Sequence, residues 1–568
     1  MGHACRALEG DTSVDVDAHG SRQPLVGHDP FDRVPTPVLV VVLHTCSVPH
    51  GARPFVADSA GIARRDVQSS SAMNANLFST LRRAYESRLD SPFLRVPGAA
   101  TSTYRDIDER SAAMAGALRE RGVAVGDRVV VQIDKSPDAV ALYLACLRAG
   151  AVFLPLNTAY TPAEVEFFVD DAMPSIVVAR PAALEHLSVA VDGLDVDGTG
   201  SFAALADVVS PFDDVVDRGA DDLAAMLYTS GTTGRSKGAM LTHANLESNA
   251  VALHEIWRFG PDDVLLHTLP IFHVHGLFVA LHCAMLSGAP VIFLPRFDVD
   301  DVLDHLPEAT VMMGVPTQYT RLLADARFDA SVCSSIRLFT SGSAPMTAAV
   351  HAEFTGRTGH RILERYGMTE AGMITSNPYD GERVPGTVGF ALRGVDLRIA
   401  DNDGHPVGVG ETGIVEIRSP GLFAGYWQLP DKTAAEFRDD GWFVTGDVGS
   451  MDDEGRLTLE GRSSDMIISG GYNVYPKEIE LVLDAVPGVL ESAVIGVPHA
   501  DFGEAVVAIV VRDGTVDVTD DDLAASLDGV LARFKHPKEY VAAESLPRNA
   551  MSKVQKSELR AMYADRPT

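Results

Sequence analysis

From Met73 onward the chain settles into a regular alternation of two periods. MNANLFSTLRRAYESRL, RSAAMAGALRERG, PDAVALYLACLRAG and AEVEFFVDDA repeat apolar residues at helical spacing, and the last three are each followed by a short β-branched or apolar run: DRVVVQI, AVFLPL and SIVVA. Such alternation predicts βαβ units and parallel sheets, an α/β class. Further strands are expected over Val264–Leu269, Val291–Leu294, Thr310–Gly314 and Ser335–Thr340, whereas Val395–Ala400 and Gly413–Arg418, set among Gly-rich turns, predict antiparallel pairing. The texture changes after Gly461. Helix EIELVLDAV, strands ESAVIGVP and AVVAIVVR, and helix DDLAASLDGVLARF predict a smaller α+β lobe joined through Gly461-Arg462-Ser463-Ser464-Asp465.

Residues 1–72 mix Asp, His, Pro, Ser and Gly without a sustained period, and read either as a disordered extension or as a stretch upstream of the true start. The expected organisation is therefore this extension, a large domain over 73–464 and a small domain over 465–568. A length of 568 residues already calls for more than one core. A formal net charge of −31 opposes attraction to nucleic acid or an anionic membrane, so an anionic ligand must meet local positive charge. Five cysteines show no CxxC spacing, which suits a reducing cytoplasm and argues against a structural zinc site. The apolar run Pro37–Leu43 is far short of the about 20 residues a membrane span requires.

Candidate chemistry concentrates first at YTSGTTGRSKG, residues 228–238. Gly231, Gly234 and Gly238 let backbone amides approach an anion, Thr229, Ser230, Thr232 and Thr233 donate hydroxyls, and Lys237 adds a point charge: a loop for a triphosphate. It departs from the P-loop pattern because Gly238, not Ser or Thr, follows the lysine.

Four more motifs follow in fixed order: YGMTE (366–370), the TGD of WFVTGD (445–447), GRSSDMIISGGYNVYP (461–476) and PRNAMSKVQK (547–556). From about Met73 to Lys556 the chain resembles the acyl-adenylate-forming superfamily of acyl-CoA synthetases, luciferases and peptide-synthetase adenylation domains. The resemblance implies a large domain of sheets with a distorted β-barrel and a small mobile C-terminal domain. It also implies ATP, Mg²⁺ and coenzyme A. Thr229 to Lys237 would hold the phosphates, Glu370 the metal, Thr369 would lie near the α-phosphate, Tyr366 against the adenine, and Asp447 and Arg462 at the ribose. Lys553 would bridge the acyl carboxylate and α-phosphate; the family's usual glycine before it is Ser552 here. Asp465 matches the hinge, Gly470 and Gly471 the pantetheine tunnel, and Lys535 or Lys538 the phosphates of CoA.

The wording LPIFHVHGLFVALH, GVPTQYTRLL, SGSAPM and ERYGMTEAGMITSNPYDG is similar to the malonyl-CoA synthetases in particular. By that resemblance an arginine holds the unreacting carboxylate of malonate. Arg321, one helical turn beyond Thr317, is the candidate, with Arg296 as a second; His273, His275, Ser341 and Ser343 would lie nearby, and Val274 and Met373 would bound the space at the α-carbon, deciding between malonate and methylmalonate. A short- or medium-chain acyl-CoA synthetase, and an adenylation enzyme loading a separate carrier protein, remain alternative readings.

Overall fold

The computed structural model describes residues 74–180, 191–229, 236–344, 346–469, 472–499, 502–549 and 553–563. The expected extension over 1–72 lies outside them.

Local chemistry sets the first βαβ units. Thr103 and Asp106 form a reciprocal capping box that starts the helix Tyr104–Glu120. Ser136 caps Pro137–Ala149, which stops where Gly150 adopts φ 72°, the left-handed region. The strands between these helices, Arg128–Gln132, Val152–Pro155 and Ile176–Ala179, pair in parallel, with Val129 level with both Phe153 and Ile176. They are buried on both faces, which is why they read as continuous β-branched runs. This seven-stranded sheet runs in the order Gly425–Tyr426, Lys237–Thr242, Leu223–Thr229, Val152–Pro155, Arg128–Gln132, Ile176–Ala179, Val191–Gly193.

The larger sheet has thirteen strands. In its middle Val311–Gly314, Leu338–Ser341 and Leu363–Met368 are parallel neighbours; on the other side of Leu363–Met368, Gly372–Ser376 pairs antiparallel to it. Leu363–Met368 is thus the switch strand, parallel to one neighbour and antiparallel to the other. The expected barrel corresponds to the antiparallel end of this sheet, Gly372–Ser376 through Asp396–Ala400, whose described pairings form an open path.

The C-terminal strands Ile467–Ser469, Tyr472–Val474, Val489–His499, Gly503–Arg512 and Glu539–Ala543 form a third sheet with cores of its own on both faces. The expected helix over DDLAASLDGVLARF is shorter: Asp520–Leu527 ends as Asp528 turns extended and Gly529 takes φ 76°. A π-type helical stretch at His275–Leu281 was not legible in the periodicity. Gly276 packs so tightly there that a Cβ would run into the Pro270 carbonyl.

Glu364, on the switch strand, is 5% exposed and accepts the Gly386 amide at 3.1 Å. Burial pushes its carboxyl up to about 7, although the amides of Gly386 and Met346 pull the other way. Because the unfolded side chain ionises near about 4.3, the folded chain holds an extra proton between those values, and stability falls as pH rises from about 4.3 to about 7. Glu364→Gln removes that slope. Thermal midpoints of the variant relative to the parent are expected to improve from pH 5 to pH 8; a pH-independent difference would refute the assignment.

Candidate active site

The two strands that flank the phosphate loop bring its ends side by side, with Thr229 level with Lys237. Ser230, Gly231, Thr232, Thr233 and Gly234 lie outside the described residues. Thr229 donates its hydroxyl to Glu370 Oε1 at 3.3 Å, and the Tyr426 hydroxyl donates to the same oxygen at 3.0 Å. Glu370 is 6% exposed in the turn after the switch strand. A buried carboxylate aimed at the phosphate loop is a hard oxygen ligand suited to Mg²⁺. Lys237 lies 4.0 Å from the Tyr426 ring centroid and 3.6 Å from Glu436 Oε1. Thr369, half-buried, precedes Glu370 in the same turn.

Asp447 gathers the residues expected at the nucleoside. Its Oδ2 accepts the Tyr366 hydroxyl at 2.5 Å, its Oδ1 meets Arg462 Nε at 2.8 Å, and its own amide donates to Thr445 Oγ1. Antiparallel pairing sets Asp447 directly opposite Arg462, so the sheet register itself builds the ion pair. Burial first, then the Asp447 charge, push the Tyr366 phenol well above its ordinary value, while Asp447 foremost raises Arg462.

The acyl end differs from expectation. Arg321 is exposed on Pro316–Leu323, whose buried face is Gln318, Tyr319, Leu322 and Leu323; Arg296 is also exposed. The guanidinium that is buried belongs to Arg365, 3% exposed on the switch strand. Its Nε and Nη2 have no hydrogen-bond partner, and no acid pairs with it among the described residues. Burial lowers it to about 10, leaving it charged at neutral pH. A Cβ at Gly342 would lie 2.5 Å from its Cζ, so only glycine leaves room for it there.

Other groups that the family resemblance pointed to lie among the described residues. His275 is 1% exposed with both ring nitrogens unpartnered, and burial, then the Arg365 charge, hold it well below its usual value. His273 accepts the His275 amide on Nδ1 and is lowered to about 3 by burial, then by Lys553 and Arg365. Ser341 Oγ is buried and unpartnered, and Ser343 holds a left-handed φ of 70° without being glycine, a locally strained backbone. Met373 is 3% exposed, its backbone bracketed by Asn249. Arg365 escaped the sequence reading, although ERYGMTE contained the signal: a charge inside a strand next to buried Leu363 and Tyr366.

Lys553 is exposed on the C-terminal lobe. It retains solvent contact, yet burial lowers its pKa, followed by Arg462 and Arg365 and opposed by Asp447 and Glu370. Its ammonium is thus coupled to the charges of both clusters, Asp447 with Arg462 on one side and Arg365 on the other. Asp465 pairs with Arg560 at 2.5 Å, and Lys535 pairs with Glu478. Lys538 faces the Phe502 ring. Gly470, Gly471 and Ser552 lie outside the described residues. Besides Arg365, sequence reading missed Tyr426 and Glu436, which orient Glu370 and Lys237 from strands and helices far along the chain.

The AMP-binding enzyme family matches residues 81–427, and the AMP-binding enzyme C-terminal domain matches 478–553. The mitochondrial malonate–CoA ligase of Mus musculus is 37% identical over 502 residues, covering 80% of this chain and 86% of that protein. An indoleacetate–CoA ligase of Aromatoleum aromaticum is 36% identical over 79% of this chain and 91% of its own length. Among solved structures, ATP-bound MatB from Rhodopseudomonas palustris superposes with a TM-score of 0.83 at 51% identity, covering 87% of this chain and 99% of that one. The chain belongs to the AMP-binding enzymes.

Proposed function

We propose that the protein is a malonate:CoA ligase, converting ATP, malonate and CoA to malonyl-CoA, AMP and pyrophosphate in the cytoplasm. The observation that carries the substrate is Arg365. A buried guanidinium without a counter-charge is costly, and the second carboxylate of a short dicarboxylate would satisfy its free N–H groups in the planar fork geometry arginine offers. Arg365 takes the role that helical spacing gave to Arg321. The similarity to malonate–CoA ligases of Mus musculus and Arabidopsis thaliana supports the same substrate.

In the first half-reaction a malonate carboxylate oxygen attacks the α-phosphorus of ATP and pyrophosphate leaves with the electrons of the broken P–O bond. Lys553 neutralises both anions as they meet, while Tyr366, Asp447 and Arg462 hold the nucleoside, and Thr229 and Lys237 steady the phosphates. Mg²⁺ held by Glu370 would supply further neutralisation of phosphate charge. In the second, the CoA thiolate attacks the acyl carbonyl of the adenylate and AMP departs. The C-terminal lobe, turning at Asp465, would exchange Lys553 for a face carrying Gly470, Gly471 and Lys535.

CoA-dependent AMP release with malonate, methylmalonate, acetate and butyrate tests this reading. Arg365→Ala is expected to lower kcat/KM for malonate by about 100-fold or more and to leave acetate and butyrate within about threefold, because the lost charge-assisted contacts are made only by the second carboxylate. Arg321→Ala is expected to change malonate turnover by less than about threefold, as for an exposed surface charge. Equal or better turnover of butyrate by the parent would move the reading to a short- or medium-chain acyl-CoA synthetase, and turnover only with a carrier protein to a loading enzyme.

Lys553→Ala is expected to slow malonate-dependent exchange of pyrophosphate into ATP by at least about 100-fold, while thioester formation from preformed malonyl adenylate stays within about threefold. Equal losses in both steps would remove Lys553 from the adenylation role.

A further inference from the structure

The described residues on either side of the segment that leads to Lys553 are tied together. Asn549 donates its amide to the Lys553 carbonyl at 2.9 Å, Lys553 returns its own to Asn549 Oδ1 at 3.0 Å, Arg548 bridges Val554, and the Gln555 amide reaches the Pro547 carbonyl at 2.8 Å. These bonds hold residues 547–549 against residues 553–555. They do not fix where Lys553 sits on the lobe.

That anchoring falls to the helix that follows, Lys556–Tyr563. Its first residue, Lys556, reaches Glu480 Oε1 at 2.5 Å. Glu480 lies on the helix Pro476–Leu483, among the residues that helix buries, and is 5% exposed. The same carboxylate accepts the Val494 amide at 3.0 Å and has Lys477 at 3.6 Å from its other oxygen. Burial alone would raise its pKa, but Lys556, Lys477 and the Val494 amide outweigh burial and hold it below the usual carboxylate range. One turn further along, Leu559 is 2% exposed in the lobe's core and Arg560 pairs with Asp465.

A carboxylate buried in a lobe of about a hundred residues is a poor source of stability, since desolvation offsets most of the Coulomb gain; what a buried pair does offer is a unique geometry. Lys556 stands three positions after Lys553, a separation too short for slack between anchor and tip.

We propose that Glu480 is a positioning residue for adenylation: by clamping Lys556 it sets the point from which Lys553 enters the cleft. This rests on the reading of Lys553 given above. Both members of the clamp belong to the C-terminal lobe and travel with it, so the clamp matters when Lys553 is in the cleft and is idle when the lobe presents its other face for thioester formation.

The test separates the half-reactions in the full-length protein. Glu480→Gln and Lys556→Met are each expected to slow malonate-dependent pyrophosphate exchange by about tenfold or more while thioester formation from chemically prepared malonyl adenylate and CoA stays within about twofold, and Lys556→Arg to recover most of the exchange rate. Comparable losses in both half-reactions, or no loss in exchange from either variant, would overturn the proposal and leave Glu480 a structural residue. Lys556→Met, which alters a surface-proximal side chain, keeps the test alive should Glu480→Gln fail to fold. Lys553→Ala run alongside identifies the source of a failure: if it spares exchange, the reading of Lys553 falls and this proposal with it, whereas if it abolishes exchange and the clamp variants do not, only the clamp is refuted.

Discussion

A guanidinium buried without a counter-charge dominates the energetics of this cleft. Arg365 sits at the switch between parallel and antiparallel strands, 3% exposed, with free N–H groups and no acid beside it among the described residues. Groups of this kind are expensive unless something completes them. Its surroundings are arranged for an occupant rather than for internal satisfaction. Gly342 is stripped of a side chain to admit it, and Ser341 and His275 present buried polar atoms that also lack partners. Burial keeps His273 and His275 neutral, so they add no competing cationic charge beside it.

The nucleotide side is built on the opposite logic. There the described charges have partners: Asp447 has Tyr366 and Arg462, Glu370 two hydroxyls, and Lys237 Glu436 and the Tyr426 ring. Matched groups hold a geometry in the absence of ligand, which is what preorganisation requires. The chain as a whole carries −31, so its long-range field disfavours anions; Arg365, Arg462, Lys237 and Lys553 set local positive charge against it. Three of these four cations come from the large sheets and one from the C-terminal lobe.

Much of the scaffold was legible because it follows local periods. Pro137–Ala149, Arg128–Gln132 and Gly413–Arg418 were readable from helical spacing, β-branched runs and glycine placement. The π-type stretch at His275–Leu281 was not, since it depends on Gly276 packing against Pro270 rather than on any repeat. For the site, glycine, hydroxyl and acidic residues clustered in short motifs stood out, and Tyr366, Glu370, Asp447, Arg462 and Lys553 do converge on one cleft. Arg321 stood out too, on helical spacing, but spacing says which residues share a face of a helix and not whether that face looks inward; Gln318, Tyr319, Leu322 and Leu323 took the buried side.

The sequence by itself determined the α/β class, the small C-terminal lobe and the chemical character of the nucleotide loop, because period, turn residues and motif order are properties of neighbouring positions. The tertiary structure alone decided which arginine is desolvated, which hydroxyls and acids face Glu370 and Lys237, and that a buried Glu480 holds the root of the lysine loop. These are relations between residues up to hundreds of positions apart. Burial and charge compensation depend on what packs against a side chain from every direction, and a linear string carries that information only after it has folded.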